Sequence, residues 1–245
     1  MRSAGLGLLL VTLLAGCGTS APVPPPASLE PSAEPGPPVV RVVSLGDSYT
    51  VGTGLERTGD RWPNQLARAL RRDVTLEIAG NLATPGASSY EVLDDQLPAV
   101  GELQPELVTL LVGVNDVIRS VSPADYRGNL ERILDGAPDG TAPGLLDLLP
   151  PDRILLVESP DYTLAPRGSS FRRPGDREAI AEANAVLRAV AAERGIATVA
   201  VAPIADLVPE DPTLIAPDGL HPSAKQYAGW VELIAPVVRD LLAQG

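Results

Sequence analysis

The chain of 245 residues contains a single histidine, His221, and a single cysteine, Cys17. One cysteine excludes an intrachain disulfide, and one histidine excludes a zinc site built from several histidines. Aromatic residues make up only 3% of the chain, and the formal net charge is −12. Nucleic-acid binding needs clustered Lys and Arg and often stacking rings, so the composition argues against this class of partner.

The N-terminus has the pattern of a bacterial lipoprotein signal. Met1–Arg2 is a short positive start, and residues 6–15 form an apolar run too short to span a bilayer as a mature helix. The run ends in Leu14–Ala15–Gly16–Cys17, which resembles a lipobox. The pattern predicts cleavage before Cys17 and lipid attachment to its sulfur. The alternative is an ordinary signal peptide followed by a chance cysteine.

These features predict three parts of the chain. Residues 1–16 are the signal peptide, residues 17–38 the lipidated cysteine and a Pro-rich linker, and residues 39–245 one folded domain. An extended linker of this kind rises ~3.1 Å per residue and would hold the domain up to about 60 Å from the membrane. We therefore expect a monomer outside the cytoplasm, anchored by lipid to a bacterial cell membrane.

The domain alternates apolar, β-branched segments with helical patterns. Strands are predicted at residues 39–45, 74–78, 106–112, 154–158 and 196–201. Helices are predicted at residues 63–72, after a Ser88–Glu91 capping box, and at residues 122–134, 175–194 and 224–242. This alternation predicts a three-layer α/β fold with a five-stranded parallel sheet and helices on both faces. Such folds bind ligands at the carboxyl ends of their strands.

A candidate nucleophile follows the first predicted strand, in Gly46–Asp47–Ser48. A serine hydroxyl becomes a good nucleophile only when a base takes its proton. His221 is the only conventional base of the chain near neutral pH. Asp218, three residues earlier, is suited to hold the histidine tautomer. We therefore predict Ser48, Asp218 and His221 as catalytic residues.

Acyl transfer also needs donors for the tetrahedral intermediate. The Ser48 N–H, the Gly86 N–H and the Asn115 side-chain amide are predicted to form this oxyanion hole. Taken singly, each residue also has a structural explanation as a helix cap or a turn former. Asp47 and Asp116 are predicted to be structural residues that tie neighbouring loops together.

Together, the motifs resemble the SGNH/GDSL hydrolase family, whose four blocks are marked by Ser, Gly, Asn and His. The matching segments are Gly46–Asp47–Ser48, Gly86, Gly113–Val114–Asn115–Asp116 and Asp218–Gly219–Leu220–His221. The resemblance covers about residues 40–243. It implies a flavodoxin-like α/β/α fold and serine hydrolase activity on esters, without a metal or cofactor. Ser48 would attack the ester carbonyl, and water would later deacylate the enzyme.

The substrate is predicted from what the chain offers around this site. No long apolar lid is evident, which favours a short acyl group, such as an acetyl ester on a carbohydrate. A lipase or lysophospholipase, a thioesterase and a non-catalytic lipid-anchored binding protein are the alternatives. Residues 160–174 are expected to form a loop at the rim. Side chains there would contact a leaving group or simply face solvent; they are Asp161, Tyr162, Arg167, Arg172 and Arg173.

Overall fold

The computed structural model of the protein describes residues 36–243. Its centre is one sheet of five strands in the order β2-β1-β3-β4-β5, and every pair is parallel. The strands are β1 (Val39–Gly46), β2 (Thr75–Asn81), β3 (Leu107–Leu111), β4 (Ile154–Val157) and β5 (Ala197–Val199). The predicted signal peptide, Cys17 and most of the linker lie outside the described residues.

Ten α-helical segments accompany the sheet in residues 36–243. They are α1 (Ser48–Val51), α2 (Trp62–Leu70), α3 (Ser89–Glu91), α4 (Val114–Ile118), α5 (Pro123–Asp135), α6 (Leu145–Leu148), α7 (Pro166–Phe171), α8 (Asp176–Ala192), α9 (Ala202–Ala205) and α10 (Ala224–Ala243). None of the helices in this part of the chain is long and apolar enough to cross a membrane.

The helices cover the sheet in two packed groups. α2 packs against α10, and α5 packs against α8. Every residue of β3 and β4 is buried, as expected of parallel strands covered on both faces. The largest fully buried side chains include Trp62 on α2 and Trp230 on α10. The predicted α/β fold with a five-stranded parallel sheet is therefore confirmed.

Several predicted boundaries are wrong, and two of them affect the site. β2, predicted to end at residue 78, continues to Asn81 because its pairing with β1 extends to Ser44 opposite Asn81. No helix was predicted directly after the third strand, but Val114–Ile118 forms the short helix α4. Asn115 is therefore presented from the first turn of a helix.

The predicted capping box is present, but the helix after it is irregular. The Ser88 backbone N–H and hydroxyl both donate to the Glu91 carboxylate. Only Ser89–Glu91 is α-helical, and Val92–Gln96 forms a π-helical turn. Beyond this turn the Gln96 amide bonds both the N–H and the C=O of Gly46, at 2.9 and 2.8 Å. The backbone polar groups at the end of β1 are thereby satisfied.

Candidate active site

The sheet register places the turns after β1 and β3 side by side. Gly46 is opposite Leu111, so both strands end at the same level. The loop after β2 continues along β1, because Leu82 and Thr84 donate their N–H groups to the carbonyls of Ser44 and Gly46, at 2.9 and 3.1 Å. Three of the four predicted motifs therefore meet at one edge of the sheet.

Ser48 is the first residue of α1, directly after β1. Asp47 caps this helix by accepting from the N–H of Tyr49 at 2.9 Å. Gly46 has φ +134°, and a Cβ there would lie 2.1 Å from the carbonyl oxygen of Leu111. Only glycine allows the chain to leave the sheet this close to β3. The turn holds Ser48 buried at the floor of a cleft.

The fourth motif reaches Ser48 from the other end of the chain. The Nδ1 atom of His221 lies 2.6 Å from Oδ2 of Asp218, and its Nε2 lies 3.0 Å from Oγ of Ser48. Oδ1 of Asp218 accepts from the backbone N–H groups of Leu220 and His221, at 2.9 and 3.0 Å. The three side chains form one continuous hydrogen-bonded chain.

Packing around His221 fixes this arrangement. The Ala216 N–H donates to the carbonyl of His221 at 2.7 Å, closing the turn that carries Asp218. The ring of His221 meets that of Tyr49 edge to face, with centroids 5.9 Å apart. The hydroxyl of Tyr227 on α10 donates to the carbonyl of Tyr49 at 2.7 Å. The final helix thus holds α1 and the histidine turn together.

The electrostatics of the pair favour an ionised Asp218. Partial burial works to raise the pKa of its carboxyl group, but hydrogen bonds from His221 and Leu220 outweigh burial and lower the pKa below its ordinary value. A carboxylate here stabilises a proton on Nδ1 of His221. Nε2 is then free to accept the proton of the Ser48 hydroxyl.

The three predicted oxyanion donors lie around the same cleft. Ser48, Gly86 and Asn115 all line it. Within residues 36–243, neither the Ser48 N–H nor the Gly86 N–H has a hydrogen-bond acceptor. The Asn115 amide donates to the carbonyl of Ala87 at 2.9 Å and to Oδ2 of Asp47 at 3.3 Å. Both N–H groups of the amide therefore have acceptors, and the longer bond, to Asp47, is the one that an oxyanion could replace.

Asp47 and Asp116 are buried carboxyl groups that brace the loops. Burial raises the pKa of Asp47 to about 7, against the opposing hydrogen bond from Tyr49. Burial also raises the pKa of Asp116, although Ser89 donates to it from both its N–H and its hydroxyl. Both side chains join neighbouring loops, in line with the structural role predicted for them.

The cleft above Ser48 has a volume of about 380 Å³. Its walls are mostly apolar and include Val114, Ile118, Tyr162, Phe171 and Leu220. A larger cavity of about 480 Å³ lies beside α4, α5 and α8; Arg173 lines it, but none of the predicted catalytic or oxyanion residues does. In the part of the chain that the structure describes, no three His, Cys, Asp or Glu side chains are grouped as a metal site requires.

Residues 160–174 are more ordered than the loop that the sequence predicts. Tyr162–Leu164 is a 3₁₀ turn, and α7 follows, opened by Pro166 in its first turn. Tyr162 lines the cleft and stacks on Phe171, with ring centroids 5.3 Å apart. The expectation that this segment reaches the rim is therefore correct for Tyr162.

The other four predicted rim side chains do not line this cleft. Asp161 pairs with Arg177 at 3.1 Å. Arg173 pairs with Asp176 and donates to the carbonyl of Val117, so it braces α4 against α8. Arg167 and Arg172 are exposed. The sequence interpretation overlooked Ile118 and Phe171, which carry no local signal of a binding role.

The comparisons with known proteins agree with the geometry. The model of the GDSL-like Lipase/Acylhydrolase family matches residues 44–228. Comparison with curated protein sequences gives no significant match.

Solved structures with the same fold include enzymes of this type. The crystal structure of TesA is 24% identical, covers 82% of this chain and 99% of its own, and has a TM-score of 0.59. A lipase/acylhydrolase from Enterococcus faecalis is 22% identical over 82% of this chain and 96% of its own, with a TM-score of 0.63. Axe2, an acetylxylan esterase from Geobacillus stearothermophilus, is 16% identical over 81% of this chain and 94% of its own, with a TM-score of 0.60. The protein therefore belongs to the GDSL-like lipase/acylhydrolase family and is an ester-hydrolysing enzyme.

Proposed function

We propose that the protein is an extracytoplasmic serine esterase that hydrolyses carboxylic esters with Ser48, His221 and Asp218. The hydrogen-bonded chain from Asp218 through His221 to Ser48, with distances of 2.6 and 3.0 Å, carries the proposal. It supplies the nucleophile, the base and the group that orients the base. The chain contains no second histidine that could replace His221.

The proposed reaction follows from these positions. Oγ of Ser48 attacks the ester carbonyl while Nε2 of His221 takes the hydroxyl proton. The oxyanion is stabilised by the N–H groups of Ser48 and Gly86 and by the Asn115 amide, which exchanges its long bond to Asp47 for the oxyanion and keeps its bond to Ala87. His221 then returns the proton to the leaving alcohol, and water, activated by the same nitrogen, hydrolyses the acyl-serine. Asp218 stays ionised throughout and stabilises the charged imidazole.

We propose that the substrate ester carries a short acyl group, such as acetyl. The cleft of about 380 Å³ must hold both the acyl group and part of the alcohol, which favours a small acyl group. The similar fold of an acetylxylan esterase points in the same direction, toward a carbohydrate ester.

A longer acyl chain, as in a lipase or a thioesterase, is the second candidate. Ile118 and Phe171 are large apolar residues with exposed fractions of 37% and 43%, and both line the cleft. Exposed apolar side chains at a binding site are suited to contact an apolar ligand. A series of p-nitrophenyl esters from acetyl to decanoyl separates the candidates. A clear preference for octanoyl or longer chains would refute the short-acyl proposal.

Hydrolysis of p-nitrophenyl acetate by the full chain tests the catalytic proposal. Ser48→Ala should reduce the rate to the background of the buffer. Ser170→Ala is a matched control, because its exposed hydroxyl bonds the carbonyl of Arg167 and lies outside the lining of the cleft. Equal rates for Ser48→Ala and the native protein would refute the serine mechanism and favour the binding-protein alternative.

The location outside the cytoplasm rests on the lipobox pattern that ends in Cys17. Cys17→Ser should leave the precursor unprocessed or release the protein from the membrane fraction of a bacterial host. The activity of the purified variant serves as the control for folding. Unchanged membrane association of a processed variant would contradict the lipid anchor and leave the catalytic proposal standing.

A further inference from the structure

The side chains that follow β3 hold successive residues of the loop that carries Gly86. Asn115 donates to the carbonyl of Ala87 at 2.9 Å. Asp116 accepts from the N–H of Ser89 at 3.0 Å. Arg119, at the C-cap of α4, donates from Nη2 to the carbonyl of Gly86 at 2.6 Å. Helix α4 with its C-cap and the segment that carries Gly86, which would supply two of the three oxyanion donors, are thereby joined at three points.

We propose that Arg119 is a positioning residue that holds the turn of Gly86 through its carbonyl and so keeps the Gly86 N–H, on the preceding peptide, in place for oxyanion binding. This inference rests on the proposed esterase function. Arg119 does not line the cleft, so it acts through Gly86 and touches no reacting atom.

Arg119 adds a second restraint to the turn that carries Gly86, which the Ala87 N–H closes by donating to the carbonyl of Thr84 at 3.0 Å. The φ of Gly86 is +81°, and no heavy atom lies within 4 Å of the position that a Cβ would take. Its N–H has no acceptor among residues 36–243, and Gly86 lines the cleft. Glycine has no side chain to restrict rotation about φ and ψ. The hydrogen bond from Arg119 fixes the Gly86–Ala87 peptide, and this limits how far the turn and its Gly86 N–H can move.

The guanidinium group is itself held in place. Nη1 of Arg119 donates to Oε1 of Glu91 at 2.6 Å, while the other carboxylate oxygen of Glu91 accepts from Ser88. Partial burial works to raise the pKa of Glu91, but the bonds from Ser88 and Arg119 outweigh it and lower the pKa to about 2. Glu91 is therefore ionised in the pH range of an esterase assay and can hold the guanidinium group of Arg119. The planar fork of arginine suits this double contact better than a lysine ammonium does.

The test compares variants of the full chain in p-nitrophenyl acetate hydrolysis. Arg119→Gln removes the charge and the fork. We expect kcat to fall by about 10- to 100-fold with KM changed less than about threefold, because a donor is misplaced rather than deleted. Arg119→Lys should give an intermediate kcat, since one ammonium group cannot hold both Gly86 and Glu91. It keeps the test valid if the glutamine variant does not fold.

Arg127→Gln is the matched control. Arg127 has a side-chain exposure of 37%, against 47% for Arg119, and also bridges two elements through Glu193, at 2.6 Å. Arg127→Gln should keep the native kcat. If the loss of any surface ion pair lowered activity, the kcat of Arg119→Gln and that of Arg127→Gln would both fall.

A double variant separates positioning from a merely structural role. If Arg119 acts through Gly86, the losses in kcat from Arg119→Gln and Gly86→Ala should not add, and the double variant should resemble the worse single variant. Fully additive losses, or a native kcat in Arg119→Gln, would overturn the inference. Either result, with Ser48→Ala inactive, leaves the proposed function intact. An active Ser48→Ala would instead remove the function on which the inference rests.

Discussion

Replacing Asp218 by asparagine should invert the tautomer of His221. In the native protein, Oδ1 accepts two backbone N–H groups, and Oδ2 accepts from Nδ1 of His221 at 2.6 Å. The asparagine oxygen must keep the Oδ1 position, because turning the amide would set its NH₂ group against two donors and lose both bonds. The orientation that keeps both bonds is therefore more stable than the turned amide by roughly 1–3 kcal/mol. The NH₂ group then faces Nδ1, which can only accept.

The consequence appears at Ser48. If Nδ1 accepts, Nε2 carries the proton and cannot take another from the serine hydroxyl, 3.0 Å away. The equivalent substitution in serine proteases lowers kcat about 10⁴-fold. We expect a loss of about 10³- to 10⁴-fold here, which corresponds to about 4–5 kcal/mol in activation free energy. KM should change little, because Asp218 does not line the cleft.

Steady-state kinetics with p-nitrophenyl acetate measure this loss, and circular dichroism checks the fold. Asp211→Asn is the control. Its Oδ1 likewise accepts from the N–H and the hydroxyl of Thr213, and it lies on the same C-terminal segment outside the cleft. Its kcat should stay native. A kcat of Asp218→Asn within tenfold of the native value would refute the tautomer argument.

Two further predictions concern stability. Gly46→Ala should lower the free energy of unfolding by roughly 2–6 kcal/mol, because its Cβ would meet the carbonyl of Leu111 at 2.1 Å and φ is +134°. Gly140→Ala, at φ +73° with nothing within 4 Å, should cost only about 1 kcal/mol; equal urea midpoints for the two variants would contradict the steric argument. Burial raises the pKa of Asp47 from 3.8 to about 7, so the folded state binds this proton more tightly. Stability should therefore fall by up to about 4 kcal/mol as pH rises from about 4 to about 7. Urea unfolding at a series of pH values should show a weaker decline in Asp47→Asn, and an unchanged pH dependence would count against a buried proton there.

Much of the fold follows from local pattern. The run Leu107–Leu111 is apolar and β-branched enough to identify a buried strand, and alternation with helical periods predicts the parallel sheet. Boundaries were less accurate where long-range pairing decides them. β2 reaches Asn81 because β1 continues beside it, and this contact has no signature within the segment itself.

The catalytic residues of the candidate site could also be predicted from the sequence. Short motifs in a fixed order were sufficient to single out Ser48, Asp218 and Asn115, and His221 is the only histidine. Serine and acidic residues are common in this chain, so the single histidine and the order of the motifs made the choice. The structure brings Ser48, Asn115 and His221 to one cleft and places Asp218 against His221, outside the lining.

Tertiary packing alone decided what surrounds them. Ile118 and Phe171 come from different helices and form the cleft wall, although neither sequence context differs from that of an ordinary surface residue. Arg173 is turned away to Asp176, whereas Arg119 reaches across to Gly86. Local propensity carries no information about such partners, because the sheet register sets which loops become neighbours. Motif chemistry can therefore be recognised in the chain, but the groups that hold and enclose it depend on contacts distant in sequence.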